Sequence, residues 1–563
     1  MSMHQVLVLF IIQLALVLLP APGLYLLFKK AGATPKPSGD PKPSRTPKPS
    51  GPSNPSGAQS GETAKPGGTP TGGAQPGATA NPGATPNPWL AFIPFYNTWI
   101  MQELAGRPKH WVFWQFVPVM GWFITMGLYV EFVKTFGKFH LWEHALAALL
   151  PMFYFPILGM DAKTKYLGIA AARKHKKGKA REWVDAAVFA IVAATLIRTF
   201  VFEAYVIPSG SMEKSLLVND YLFVSKFAYG PRIPTTPLSI PFVHNTLPLG
   251  DRKSYLEWIK LPYIRWFPSP VKRFDVVVFN LPVGDTVINT ANYQSQVTYY
   301  QAMRELGNGN ADSGRQLILA DPDKYPIVLR PTDKEENYIK RCVGIPGDTL
   351  QIKEQIVYID GKPQPLPPES ETWYVVKTKG QSLDEDVMKE EYAVDITNTE
   401  EFRQTDQRNK YQMLLEWQAY QKMLQNHFAD SIGPTIDSSY NIYPYSPLFH
   451  WTIDNFGPIF LPKTGVTITL TPENYAIYER VIRTYEENDF EQKDGKYYLN
   501  GKEVTQYTFK GNYYWMMGDN RHDSQDARFW GFVPEDHIVG KASLIWMSWD
   551  KGIRWSRLFK KIK

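Results

Sequence analysis

Two residues carry the chemistry that this sequence offers most openly. Ser211 lies in Ile207-Pro208-Ser209-Gly210-Ser211-Met212, and Lys340 in Tyr338-Ile339-Lys340-Arg341-Cys342-Val343-Gly344. A serine hydroxyl is a weak nucleophile at its own pKa and needs a base within hydrogen-bond reach, so His, Asp and Lys are the candidate partners. Pro208 removes a backbone donor and disfavours helix at Ile207, while Gly210 relieves crowding between the two serines. The segment is therefore expected to be extended chain or a tight turn. Lys340 falls in an alternating apolar run that would place it and Ile339 on opposite faces of a strand. A lysine accepts a proton only when neutral, so a lysine base needs its pKa brought down from about 10.4 to near 7 or 8 by burial among apolar neighbours. Of the ten histidines, His522, between Asp519 and Asp523, is the best placed to compete.

The elements that must position these residues begin in a membrane. Val6 to Phe28 is an almost unbroken apolar run, followed at once by Lys29 and Lys30, and reads as a retained anchor over residues 1–30. Residues 31–88 are Pro, Gly, Ser, Thr and Ala with a recurring Pro-Lys-Pro-Ser, a composition that cannot offset the entropy of folding and reads as a disordered linker. Residues 89–182 contain an aromatic segment, apolar runs at Trp111–Val133 and Leu141–Met160 that form a membrane hairpin, and a basic loop with Arg173, Lys174, Lys176, Lys177, Lys179 and Arg181. The positive-inside bias makes that loop cytoplasmic, so the next run, 183–206, crosses outward, with Arg198 inside it facing Glu203 as a candidate partner. This predicts four spans, the linker inside and residues 207–563 outside.

That outer part is expected to be a mainly β catalytic domain of antiparallel sheets. Phe274–Phe279 and Leu350–Ile359 read as strands, and Asp360-Gly361 and Asn500-Gly501 as hairpin turns. Insertions are expected over about 281–336 and 362–512, with helices near Asn292–Leu306, near Thr399–Gln425, and after the N-cap Thr471-Pro472. The C-terminal stretch Trp546–Lys563 combines tryptophans with basic residues, as a bilayer-surface anchor would.

Composition narrows the classes. At 563 residues, 44% hydrophobic and 20% charged, the chain has ample material for a core. The formal charge of +7 is concentrated beside apolar runs, which points to membrane orientation and not to nucleic acid. A single cysteine, Cys342, allows no intramolecular disulfide and no Cys-based zinc site; no metal and no cofactor are expected.

Five boxes in order after an apolar span resemble those of bacterial type I signal peptidase. They are Ile207–Met212, Asn219–Gly230, Arg273–Phe279, Tyr338–Asp348, and Met516-Met517-Gly518-Asp519-Asn520-Arg521 with Ser524, Asp526, Arg528 and Trp530–Pro534. The resemblance implies a membrane-bound serine endopeptidase of the inner membrane, with its catalytic domain on the outer face, that cleaves signal peptides from exported preproteins through an acyl-enzyme. It makes Ser211 the nucleophile and Lys340 the base, with Ser524 orienting the amine. Ser209 and the Ser211 backbone N–H would hold the oxyanion. Arg341, Asp519, Arg521, Asp526 and Arg528 would form structural ion pairs. Substrate would bind as an extended strand against Ile207, Pro208, Met212, Leu216 and Ile339. The preprotein, the lipid bilayer and the export translocon are the implied partners.

The sequence departs from the family pattern after Met212, where Glu213-Lys214-Ser215-Leu216 replaces the usual Pro-Thr-Leu, and at His522-Asp523. Ser211-Met212-Glu213-Lys214 also spells Ser-x-x-Lys. Together with Lys463-Thr464-Gly465 and Tyr498-Leu499-Asn500 it supplies the fragments of a penicillin-recognising acyltransferase, although in the wrong order. A non-enzyme alternative is an inactive membrane-tethered scaffold that binds exported chains.

Overall fold

The computed structural model describes residues 3–33, 86–117, 120–175, 178–248, 252–290, 292–294, 296–380, 382–439 and 441–563. Most of the expected linker, 34–85, and Lys176 and Lys177 of the basic loop lie outside the described residues. The chain divides into two units, Ser2–Glu182 and Trp183–Lys563.

The first unit is helical: α1 (Met3–Leu18), α2 (Ala21–Ala33), α3 (Tyr96–Ala105), α4 (Met120–Lys134), α5 (Leu141–Leu149), α6 (Pro151–Met160) and α7 (Gly168–Lys174), with α8 (Lys179–Phe200) leading out of it. Prolines decide where its apolar runs break. Pro20 separates α1 from α2, which bend by 41°, and Pro151 separates α5 from α6, which bend by 119°. Within Trp111–Val133 only α4 is α-helix; Lys109–Phe116 is a 3₁₀ stretch and Pro118 follows it. By length and composition, one helix among the described residues, α8, is long and apolar enough to cross a membrane, or up to three spans if each bent pair counts as one. Gly23 and Gly159 let α2 and α6 touch: a Cβ at either would lie 2.5 Å from Phe155 or Leu26. Lys30 donates to the carbonyls of Leu158 and Thr164 at 3.1 and 2.9 Å, satisfying the C-terminal end of α6.

The second unit is built on an antiparallel sheet, a β-rich domain with helices on it. Its strands are β1 (Phe202–Val206), β2 (Asp220–Ser225), β3 (Val276–Asn280), β4 (Asn337–Gly344), β5 (Tyr513–Met517), β6 (Val533–Pro534) and β7 (Ile538–Ser548). Their order across the sheet is β1-β2-β7-β3-β4-β5-β6, with Lys560–Lys561 added beside β7. The expected outward span 183–206 is thus shorter than its apolar run. α8 stops at Phe200, and Phe202–Val206 pairs with β2 instead, Ala204 opposite Phe223. Arg198 does pair with Glu203, at 2.6 Å, and Lys226 meets the same carboxylate at 2.8 Å. All five residues of the Val-rich β3 are buried, because both faces of the sheet are covered. Val276 and Val278 pack with Leu222, Val224 and Ile545 on one face, and Val277 and Phe279 with Cys342, Met516 and Trp530 on the other.

Within the expected insertions, residues 288–325 and 374–423 have cores of their own, whereas 442–509 packs into one core with Val343, Leu350, Trp515 and Phe532. Glu371–Thr378, Phe402–Gln404, Lys410–Glu416 and Ala429–Pro434 make a four-stranded sheet. The helix expected from Thr399 starts only at Trp417, because Tyr411, Met413 and Leu415 alternate toward the interior of that sheet. Leu350–Ile359 is two strands, turned at Glu354 and Gln355 with φ of 47° and 72°. The Asp360-Gly361 and Asn500-Gly501 turns form as expected, both residues of each at positive φ. Thr471 caps the helix Pro472–Arg480 through the N–H of Asn474. In the C-terminal stretch two arginines face inward, Arg557 buried against Asp220 and Arg554 donating to the Val218 carbonyl, whereas Lys551, Lys560, Lys561 and Lys563 are exposed. Trp555 and Phe559 remain exposed.

Candidate active site

Ser211 sits in one 3₁₀ turn, Gly210–Met212, after extended backbone at Ser209. The turn is clamped from three sides. Ile207 exchanges backbone hydrogen bonds with Asn219 and Asp220, the Ser211 carbonyl accepts from the N–H of Asn520 at 3.3 Å, and Ser215 donates to Asp519 at 2.6 Å. Lys340 comes from the middle of β4, where its backbone is opposite Val277. Both side chains are buried, and Lys340 Nζ lies 2.5 Å from Ser211 Oγ.

Burial is the largest influence on Lys340 and holds its ammonium down from 10.5 to about 8. Asp526, Asp519 and Asp523 pull the other way without restoring the ordinary value. The first two are already engaged. Arg341 grips Asp519 with a two-pronged contact at 2.7 and 2.6 Å, and Arg528 grips Asp526 at 2.9 and 2.8 Å, all four residues buried. Asp526 also accepts from the Gly518 N–H at 3.0 Å, which locks the strand end to the loop that follows it. The amine therefore gives up its proton well below the ordinary lysine range although carboxylates stand behind it.

The expected fifth partner behaves differently. Arg521 is buried, but its Nε and Nη1 have no hydrogen-bond partner, because Asp519 and Asp526 are taken by Arg341 and Arg528. Burial and the charge of Arg528 push Arg521 down to about 10. Ser524 is buried against Gly518, where a Cβ would lie 2.2 Å from its Oγ; that hydroxyl makes no hydrogen bond within ordinary range and is close enough to Asp526 to favour its ionised form. Ser209 is exposed and its hydroxyl caps nothing in the turn. Of the expected substrate-lining residues, Pro208 is exposed and Ile339 half-buried, whereas Ile207, Met212 and Leu216 are buried in the core with Leu222 and Val224.

The competing bases are placed elsewhere. Lys214 points to Glu401 at 3.6 Å and toward the Ala393 carbonyl, away from Ser211, and its backbone is at φ 63°, outside any helix. His522 has both ring nitrogens occupied, by Thr372 Oγ1 at 2.8 Å and Asp454 at 3.0 Å. These two partners come from the second insertion, as does Glu371, whose N–H and carbonyl pair with Asp519 and Arg521. Sequence reasoning missed all three because nothing local ties residues 371–454 to the 519–524 loop.

A buried amine thus lies against a serine hydroxyl, backed by charge-locked arginines on an antiparallel sheet. Comparison with known proteins gives the family. The signal peptidase, peptidase S26 family model matches residues 180–427 and 464–549, and the chain belongs to that family of serine peptidases. Residues 89–169 separately match a family of unknown function. The chain is 26% identical over 398 residues to signal peptidase I of Haemophilus influenzae, covering 68% of this chain and 76% of that one. It is 26% identical over 380 residues to that of Buchnera aphidicola from Acyrthosiphon pisum (65% and 77%). It is 22% identical over 365 residues to that of Pseudomonas aeruginosa (63% and 68%).

Proposed function

We propose that the chain is a membrane-bound signal peptidase that cuts signal peptides from exported preproteins with Ser211 and Lys340 through an acyl-enzyme. The 2.5 Å approach of the buried Lys340 amine to Ser211 Oγ carries this reading. Neutral Lys340 takes the hydroxyl proton as Ser211 Oγ attacks the scissile carbonyl carbon. The Ser211 N–H and the Ser209 hydroxyl hold the oxygen that becomes negative. The intermediate collapses as Lys340 returns the proton to the departing amine of the mature chain, leaving the signal peptide as an ester on Ser211. Lys340 then takes a proton from a water as it attacks the ester and returns that proton to Ser211 Oγ as the signal peptide leaves with its new carboxyl group, which restores the neutral amine and the hydroxyl. The unpartnered Ser524 hydroxyl steadies the amine between these transfers.

The substrate lies extended over Pro208 and Ile339, with Ile207, Met212 and Leu216 as the floor that keeps the pockets shallow. Residues 1–30 anchor the chain, 31–88 tether it, 89–182 form a membrane segment with a cytoplasmic basic end, and α8 carries residues 207–563 to the outer face beside the bilayer and the translocon. Incubating the purified chain in detergent with a radiolabelled preprotein, then sequencing the product from its N-terminus, tests the activity. One cut after a small residue at the signal-peptide boundary is expected. No cut, or cuts scattered along the chain, would overturn the reading.

A further inference from the structure

We infer that the insertions build a subsite for the mature part of the preprotein, an extended polypeptide segment with an acidic side chain held by Arg304. This rests on the peptidase reading above. A groove of about 850 Å³ opens beside the catalytic loop, lined at one end by Asp523 and Ser524 and at the other by the helix Tyr299–Leu306 and the segment 441–451. Its size falls in the range of about 300–1,000 Å³ common for ligand sites. Two packed rings stand between it and the catalytic pair: Trp530 lines it and packs edge-on to Tyr338, whose ring lies 5.5 Å from the Lys340 amine.

The lining offers partners to a peptide backbone and sets two arginines, Arg304 and Arg480, among the carboxylates of Glu305 and Asp523. Gln301, Asn308, Asn441 and Gln525 supply donors and acceptors, and Tyr445, Phe449 and Trp451 supply flat apolar surface. Of the two cations in the groove, Arg480 is anchored, donating to the Trp530 and Pro282 carbonyls at 3.0 and 2.9 Å. Arg304 is half-buried and stacked 3.7 Å over Tyr445, and it makes no ion pair among the described residues. The guanidinium lies flat on Tyr445 and is hydrogen-bonded to that side chain, with Glu305 nearby, and its remaining donors suit a carboxylate.

Direction follows from the second cleft. That cleft surrounds the end of α8 at Thr195, Arg198 and Thr199 and shares no residue with the groove. On the peptidase reading the apolar segment of the signal peptide lies beside α8, which leaves the groove to the chain beyond the cut.

The test uses the full chain in detergent and two preproteins that differ only in the mature part. In one, a single Asp is moved through the first ten or so positions after the cut, about 33 Å of extended chain; the other has Asn there. With the Asp at its best position, Arg304→Ala should raise KM for the Asp preprotein about tenfold with kcat unchanged and leave the Asn preprotein unaffected. Arg304→Glu should prefer a preprotein with Lys at the same position. In the wild-type chain, which needs no substitution, a photoreactive residue placed there should crosslink within 441–451. Equal KM for both preproteins in wild type and Arg304→Ala, with no crosslink to 441–451, would overturn the subsite while leaving the peptidase intact. Failure of the wild type to cut either preprotein would sink the peptidase reading itself.

Discussion

Replacing Lys340 by Met should abolish processing and yet stabilise the catalytic unit at neutral pH. The amine is buried and its pKa falls from 10.5 to about 8; at about 1.4 kcal/mol per tenfold change in the proton equilibrium, that depression costs the folded state about 3 kcal/mol wherever the unfolded chain holds the proton. Met fills similar volume without a charge. It gives up the Ser211 contact, worth about 1 kcal/mol, so the net gain is about 2 kcal/mol. For the unit Trp183–Lys563, with an unfolding entropy of about 0.8 kcal/mol/K, this is a rise in Tm of about 2–3 °C.

The pH dependence gives this gain a signature. Between pH 8 and 10.5 the unfolded state holds a proton that the folded state has released, so wild-type stability climbs with pH over that window. The Lys340→Met chain lacks the climb. The difference in Tm between the two proteins should therefore be full below pH 8 and vanish toward pH 10.5. Thermal unfolding of both, followed by tryptophan fluorescence in the same detergent across pH 6–10.5, measures it. A Lys340→Met protein less stable than wild type at pH 7, or a difference that does not change with pH, would refute the claim that burial depresses this lysine.

Three further outcomes are expected. Gly518→Ala would put a Cβ 2.5 Å from the Ser211 carbonyl oxygen and 2.2 Å from Ser524 Oγ, so kcat should fall at least about 100-fold with a stability loss of about 1–3 kcal/mol in urea unfolding. Asp519→Ala strands the buried Arg341 and should cost about 3–5 kcal/mol, whereas Arg341→Met with Asp519→Leu should cost less, a comparison made by unfolding midpoints. With Cys342 replaced, a thiol probe that cannot cross the membrane should label a cysteine at Trp555, which is exposed, but not one at Arg173; the reverse pattern would invert the orientation proposed for the active site.

The site was more legible than the scaffold that surrounds it. Ser211 and Lys340 stand in short, distinctive stretches, and the alternation around Lys340 was enough to place it on a strand. Type I′ turn chemistry marked Asp360-Gly361 and Asn500-Gly501 because positive φ restricts the residues that fit. The apolar run 183–206 misled at its end: Phe202–Val206 continues the run apart from Glu203, and its pairing with β2 makes it an edge strand. Arg521 misled for another reason. Charge matching along a sequence cannot tell that Arg341, which arrives from a strand about 180 residues away, has already taken Asp519. The hold of Thr372 and Asp454 on His522 is equally invisible, being a contact between an insertion and a loop.

The central claim, that Ser211 attacks and Lys340 is its base, is tested most directly by single-turnover processing of one preprotein by wild type, Ser211→Ala, Lys340→Ala and Lys214→Ala at pH 8. The account predicts a loss of at least about 1,000-fold for both Ser211→Ala and Lys340→Ala, with Lys214→Ala close to wild type. Substantial processing by Lys340→Ala together with an inactive Lys214→Ala would contradict it.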